Sequence, residues 1–256
     1  MQQFVITPAA GKRLIAKGVA QHPQVKGALT EATVVVVAGT TNGYVAEELL
    51  QSIGQSEGFS KQGFMRGITV PPHVPTNEAG RSANEQEFPG DVIITKGKWV
   101  RGKAVFDVID DLKEGDVILK GANAIDPARK QAAILIGHPK GGTIGSIFQA
   151  VVGRRVRLIL PVGLEKRVLS DLNDLADKVN SPGCMGPRLF PVPSGEVFTE
   201  VEALRLLAGV EAEMVAAGGV RGAEGAVWLG VWGPDDAVEK ASELIKSVAS
   251  EPQFPF

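Results

Sequence analysis

The sequence predicts an α/β protein with a mainly parallel sheet flanked by helices, and three observations point to it. Strand-like and helix-like segments alternate from Thr33 to Val179, a pattern that requires right-handed crossovers and parallel pairing. The run Thr33-Val34-Val35-Val36-Val37-Ala38 is apolar without alternation, as a strand covered on both faces must be. Glycine is in excess, 31 of 256 residues, or about 12% against a usual ~7%, and much of it falls in loops at the ends of expected strands. The expected architecture is a Rossmann-like domain over 1–181 and a smaller α+β lobe over 182–232. A C-terminal helix over 233–256 is expected to pack back on the main domain.

Each element has its own local reason. Thr7 is a good N-cap, Pro8 suits the first helical position, and Leu14, Ile15 and Val19 recur at helical spacing, so a helix is expected from Thr7 to about Ala20. His22-Pro23 interrupts it, and a second short helix runs to Thr30. The valine strand ends in Gly39-Thr40-Thr41-Asn42-Gly43 and leads to a helix from Tyr44 to Ile53. Ile68-Thr69-Val70 reads as a short strand with a stiff exit at Pro71-Pro72, and the polar stretch from His73 to Pro89 reads as a long loop. Strands are expected at Asp91–Thr95, Asp116–Leu119, Ala132–Ile136 and Val156–Pro161. Helices are expected over Ala104–Leu112, after Gly145 to Val152, and over Glu165–Val179.

Beyond Pro182 the texture changes. Cys184 and Met185 sit in a Pro/Gly-rich linker, followed by strands at Arg188–Val192, Val210–Ala217 and Ala226–Trp232. Helices are expected at Phe198–Leu207 and, after Pro234-Asp235-Asp236, over Ala237–Val248. Gly218–Gly225 reads as a hairpin loop, and Trp228 and Trp232, four apart on one strand face, as packing residues of the lobe.

Composition narrows function mainly by exclusion. Apolar residues are 44% and charged residues 22%, ample for a core held without metals or disulfides. Lys and Arg number 27 against 29 Asp and Glu, a net charge of −2, which is no nucleic-acid footprint. The single Cys184 excludes an intrachain disulfide, and His22, His73 and His138 are too scattered for a metal set. The start MQQFVITPAAGKRL lacks the pattern of a secretory signal, and no apolar stretch approaches the ~20 residues of a membrane span. The expectation is a cytoplasmic protein with no cofactor and no nucleic-acid or membrane partner.

The chemistry is expected in the strand-end loops. In Gly39-Thr40-Thr41-Asn42, glycine allows close backbone approach, the following helix aims free N–H groups at an anion, and the side chains add donors. The same residues also suit a plain helix cap. Lys140-Gly141-Gly142-Thr143 offers a cation, two close-approach glycines and a hydroxyl before the next helix, although the P-loop order is absent. Lys120, beside Gly121, falls at a strand end with its ammonium near the same mouth, and Lys166 falls just beyond another. Either lysine neutralises a phosphate, or pairs and solvates at the surface. Cys184 has no neighbouring base in sequence, and His138 reads first as a hydrogen-bonded loop residue.

The order strand, Ala38-Gly39-Thr40-Thr41-Asn42, helix resembles the phosphate loop of the NagB/RpiA/CoA-transferase-like superfamily. That superfamily includes ribose-5-phosphate isomerases and the effector domains of sugar-phosphate-sensing repressors. The stretch Gly115 to Asp126, with Gly121-Ala122-Asn123-Ala124-Ile125, resembles the Gly-Ala-Asp-x-Ile run of methylthioribose-1-phosphate isomerases, and Gly142-Thr143-Ile144 follows at about the spacing seen there. The resemblance spans roughly residues 10–170. It implies an α/β fold, a phosphorylated small-molecule ligand, a homo-oligomer and, at Lys166, the strand-end lysine of the effector domains.

Two departures from that pattern shape the expected chemistry. The isomerase aspartate falls on Asn123, whose amide does not titrate. Asp126 is the nearest carboxylate, read either as a substitute base or as the starter of an Asp-Pro turn. No strand-end glutamate stands out of the kind a coenzyme A transferase would use. The function expected is therefore binding of a phosphorylated metabolite at Gly39, Thr40, Thr41, Asn42, Gly121, Asn123, Lys140, Gly141, Gly142, Thr143 and Lys166, with isomerisation by proton transfer through Asp126 and Lys120. A non-catalytic regulatory binder and a coenzyme A-dependent transferase are the alternatives.

Overall fold

A computed structural model describes residues 1–67, 69–75 and 90–253. The chain opens with β1 (Gln2–Ile6), α1 (Pro8–Gln21) and α2 (Pro23–Glu31), followed by β2 (Thr33–Val36) and α3 (Thr40–Ser52). Next come β3 (Val92–Thr95), β4 (Lys98–Trp99), β5 (Val117–Leu119), β6 (Ala124–Asp126) and β7 (Gln131–Ile136). The second half holds α4 (Gly142–Arg154), β8 (Arg157–Pro161), α5 (Leu172–Val179), β9 (Arg188–Pro191) and β10 (Glu196–Phe198). It closes with α6 (Glu200–Ala208), β11 (Glu211–Ala217), β12 (Val227–Trp232) and α7 (Asp235–Val248).

The central sheet has six strands in the order β10-β8-β5-β2-β3-β4. It is mostly parallel: β10, β8, β5 and β2 run the same way, while β3 and β4 add antiparallel pairs at one edge. Val34, Val35, Val36, Ile118 and Ile159 are fully buried, which accounts for strands without alternation. A second sheet, β6-β7-β9, and a third, β1-β12-β11, are antiparallel. Among the described residues no helix is long and apolar enough to cross a membrane.

Local signals act largely as the sequence indicates. Thr7 caps α1 by accepting from Ala10 N at 3.3 Å, with Pro8 at the first helical position. Both loop-borne helices begin earlier than expected, α3 at Thr40 and α4 at Gly142, so their glycine loops lead directly into the first turn. The expected helix over Ala104–Leu112 is instead two 3₁₀ turns, Val105–Asp107 and Ile109–Asp111. The expected helix over Glu165–Val179 splits into a 3₁₀ turn, Leu164–Lys166, and α5, because Asp171 caps a fresh start by accepting from Asn173 N at 2.8 Å. Thr69 and Val70 form no strand, while Ile68 and positions 76–89 of the expected loop lie outside the described residues.

The structure does not show the lobe expected over 182–232. Its elements are shared among three sheets: β9 pairs with β7, β10 extends the central sheet beside β8, and β11 and β12 join β1. Strand partners such as Ile159 for Glu196 and Gln2 for Val231, well separated along the chain, leave no mark on local composition. Trp228 is 40% exposed on the outer face of β12 and so is not a packing residue. The last helix, α7, packs on α1 and α6, and beyond it Glu251 meets Arg13 Nε at 2.9 Å.

Helix α1 lies so close to α6 that one position admits no side chain. A Cβ built on Gly18 would stand 2.8 Å from Ala203 Cβ and 2.9 Å from Phe198 Cε1. Glycine costs a helix interior about 1 kcal/mol against alanine, whereas overpacking a rigid contact costs about 1–3 kcal/mol. Gly18→Ala is therefore expected to lower the urea midpoint without changing the slope, and Ala203→Gly in the same chain to restore part of the loss.

Candidate functional site

At the carboxyl ends of β2, β5 and β8 the loops surround a cavity of about 1020 Å³. The backbone leaving β2 is pinned at three points: Val37 N donates to Leu119 O at 2.9 Å, Ala38 N to Asp91 Oδ1 at 2.9 Å, and Gly39 N to Phe64 O at 3.1 Å. Helix α3 then begins with Gly39 at its N-cap and no side-chain cap. Gly43 N is the first amide to find an intrahelical acceptor, at Gly39 O. The amides of the first turn therefore remain available for an anion. Thr41, 2% exposed, borders the cavity with an Oγ1 that has no partner among the described residues.

Helix α4 opens on the same cavity in the same way. Gly141 (φ 79°) and Gly142 (φ 57°) are both left-handed, which explains two glycines in succession. Again no side chain caps the helix. Thr143 Oγ1 accepts from Arg66 Nη1 at 3.3 Å, and Arg66 also lies 3.5 Å from the buried Asp91 carboxylate. Asp91 thus joins the α4 entrance to the end of β2, and its other oxygen accepts from Val105 N at 2.8 Å.

Of the expected ligand residues, Gly39, Thr40, Thr41, Gly121, Asn123, Lys140, Gly141, Gly142, Thr143 and Lys166 all line the cavity, as does Lys120. Two expected residues do not. Asn42 is fully buried, and its Nδ2 donates to Val37 O at 2.7 Å and Leu119 O at 2.9 Å, stapling β2 to β5 behind the site. Asp126 is corrected to the turn-starting role: its carboxylate accepts from Ala128 N, Arg129 N and the Arg129 guanidinium at 2.7–3.1 Å. The Arg129 hydrogen bond holds it below the usual carboxylate range. His138 Nδ1 accepts from Lys140 N at 3.2 Å within its own loop, and Cys184 is exposed in the linker.

The sequence reading missed the carboxylates behind the site. Glu165, in the 3₁₀ turn Leu164–Lys166 that follows β8, lines the cavity. Its Oε1 accepts from Lys12 Nζ at 2.8 Å, and its Oε2 has no partner among the described residues. Glu200 is 1% exposed and accepts from Leu164 N at 3.0 Å. Two glycines make the room: a Cβ on Gly11 would fall 2.4 Å from Glu200 Oε1, and one on Gly163 would fall 1.8 Å from Glu165 Oε2. Gly11 inside a helix and Gly163 at a strand end were the available signals.

Burial and neighbouring charge then separate the protonation states. Burial alone would raise Glu165, but the charges of Lys12 and Lys166 outweigh it and hold the carboxylate below its ordinary value. Burial, with the charge of Glu165, pushes the Glu200 carboxyl up to about 8, so it is protonated at neutral pH. Lys166 is lowered by burial and donates to Ala122 O at 2.8 Å. Lys120 is brought down to about 8, first by burial and then by the charge of Arg66, with Asp91 opposing. Among the described residues no three metal-ligating side chains come together.

Compared with known protein families, with curated proteins and with solved structures, the chain matches none. The geometry and charge of the cavity therefore carry the functional argument.

Glu200 makes stability depend on pH in a defined direction. Between its ordinary value near 4.5 and about 8, the folded chain holds a proton that the unfolded chain has released, so stability falls as pH rises through that window. The melting temperature is expected to decline from pH 5 to pH 8. Glu200→Gln, which keeps an acceptor for Leu164 N, is expected to flatten that decline.

Proposed function

We propose that the cavity binds a small phosphorylated metabolite of the sugar-phosphate class, with its phosphate at the first turn of α3. The observation that carries this reading is the opening of two uncapped, glycine-led helices, α3 and α4, on one cavity that also holds Arg66, Lys120, Lys140 and Lys166. A single helix terminus contributes only about 0.3–1 kcal/mol to an anion. Two of them beside four cations, with one lining carboxylate among the described residues at Glu165, favour an anionic ligand by a much wider margin. The Rossmann-like arrangement of the parallel strands, with the site at their carboxyl ends, supports the same placement. So does the resemblance of Gly39–Asn42 to the NagB/RpiA-type phosphate loop.

Isomerisation by proton transfer is the catalytic form of this proposal. With Asp126 committed to its turn, Glu165 and Lys120 are the groups available for it. The regulatory alternative is favoured by Asn123, whose Oδ1 accepts from Leu135 N at 3.0 Å and whose amide holds a loop in place where an acid would act.

Ribose 5-phosphate at about a hundred times its Kd is expected to raise the melting temperature by roughly 5–10 °C, while ribose and coenzyme A do not. Equal responses to ribose and its phosphate would remove the phosphate reading. Thr41→Val removes an unpartnered hydroxyl and so is expected to leave the ligand-free protein as stable or more so. In the same variant the loss of a hydrogen bond to a charged group weakens ribose 5-phosphate binding by about tenfold or more. Turnover of that compound in a coupled assay distinguishes an isomerase from a binder.

A further inference from the structure

We propose that Lys120 is a nucleophilic amine that forms an imine with the carbonyl group of a phosphorylated aldehyde or ketone bound in the cavity. The inference rests on the phosphate-binding reading and goes beyond it by naming a covalent step and the functional group it requires in the ligand.

The first support is position. Lys120 follows β5 directly, and its backbone N–H is locked to Ile159 O at 3.0 Å, so its side chain starts from a rigid point at the cavity wall. That point borders the cavity that the α3 and α4 loops also line, so a phosphate bound there would leave the rest of a small ligand within the same enclosure.

The second support is the partnering of the nearby lysines. Lys12 Nζ is held by Glu165 at 2.8 Å and Lys166 Nζ by Ala122 O at 2.8 Å. Lys120 Nζ has neither a hydrogen bond nor an ion pair among the described residues. The carboxylate that opposes its loss of charge, Asp91, is already engaged by Ala38 N, Val105 N and Arg66. A lysine surrounded by Arg66 and Lys166 and left without a counter-ion is suited to giving up its proton.

The third support is the state of the amine. Brought down to about 8, roughly a quarter of it is neutral at pH 7.5, against about one part in a thousand for an ordinary lysine. The lone pair is thus available in the pH range where Glu165 stays ionised.

The step balances without a further reactant. The neutral amine attacks the carbonyl carbon, and the carbonyl oxygen takes up a proton to give a carbinolamine. Loss of that hydroxyl as water leaves a C=N bond to Nζ. Once protonated, the imine withdraws electrons from the adjacent carbon and makes its C–H acidic, which is the activation an isomerisation needs. Hydrolysis returns the free lysine.

The test uses the whole chain with glyceraldehyde 3-phosphate as probe and borohydride as trap, read by intact mass and peptide mapping. One reduced adduct is expected, at Lys120, at roughly ten-fold or more the level at Lys140. Excess inorganic phosphate is expected to suppress it, and unphosphorylated glyceraldehyde to label the site more weakly than its phosphate does. Lys120→Arg, which keeps the positive charge, should lose the adduct while still gaining thermal stability from inorganic phosphate, which shows that it folds with the pocket intact; Lys120→Met should also lose the adduct and gain less from phosphate. Stabilisation by phosphate without an adduct at Lys120, or with adducts spread over Lys140 and Lys166, overturns the imine and leaves the pocket reading standing. An adduct that phosphate does not suppress, or no response to phosphate at all, overturns both.

Discussion

A parallel strand that stops inside a protein leaves backbone groups that water does not reach, and each must find a partner. At the end of β2 those partners are two buried side chains. Asp91 takes the Ala38 and Val105 amides, and Asn42 donates to the Val37 and Leu119 carbonyls. With the strand end held this way, the chain reaches Gly39 in a fixed direction and α3 starts with first-turn amides that have no acceptor among the described residues. Asp91 extends the same restraint to Arg66 and through it to Thr143 on the second helix. Both halves of the cavity wall thus depend on one carboxylate that is 1% exposed.

The charges around the cavity form two groups that work differently. Lys12 and Glu200 sit behind Glu165, which lines the cavity, and Gly11 and Gly163 leave space for carboxyl groups that a Cβ would displace. Burying an unpaired carboxylate is costly, so one of the two acids is paired with lysine and the other keeps its proton. Arg66, Lys120, Lys140 and Lys166 line the cavity, with Arg66 3.5 Å from the Asp91 carboxylate.

Much of the site was legible because it is written in backbone chemistry. Gly39-Thr40-Thr41 and Gly141-Gly142-Thr143 stand out since helix starts and left-handed turns restrict residue type locally. Lys120 and Lys166 were legible as strand-end residues once the apolar runs before them were read as strands. Asn42 was placed in the right region and given the wrong task, since its neighbours in sequence do not reveal that its amide reaches back to Leu119. Asp126 was weighed as a base because it lies three residues from Asn123, yet strand β6 carries it into a turn with Arg129. Closeness along the chain was a poor guide to closeness in space.

By itself the sequence determined the alternation of buried strands and capped helices, and the glycine-led loops at the ends of those strands. These follow from hydrophobic burial and from allowed backbone angles, both properties of short segments. Only the tertiary structure decided that residues 126 and 42 leave the cavity, that 66 and 165 join it with 91 buried behind 66, and that the stretch over 182–232 is divided among three sheets. It also decided that Lys120 has no ion pair among the described residues while Lys12 and Lys166 are held. Those outcomes depend on which distant strands pair and on how deeply a charge is buried, and neither quantity exists until the chain has folded.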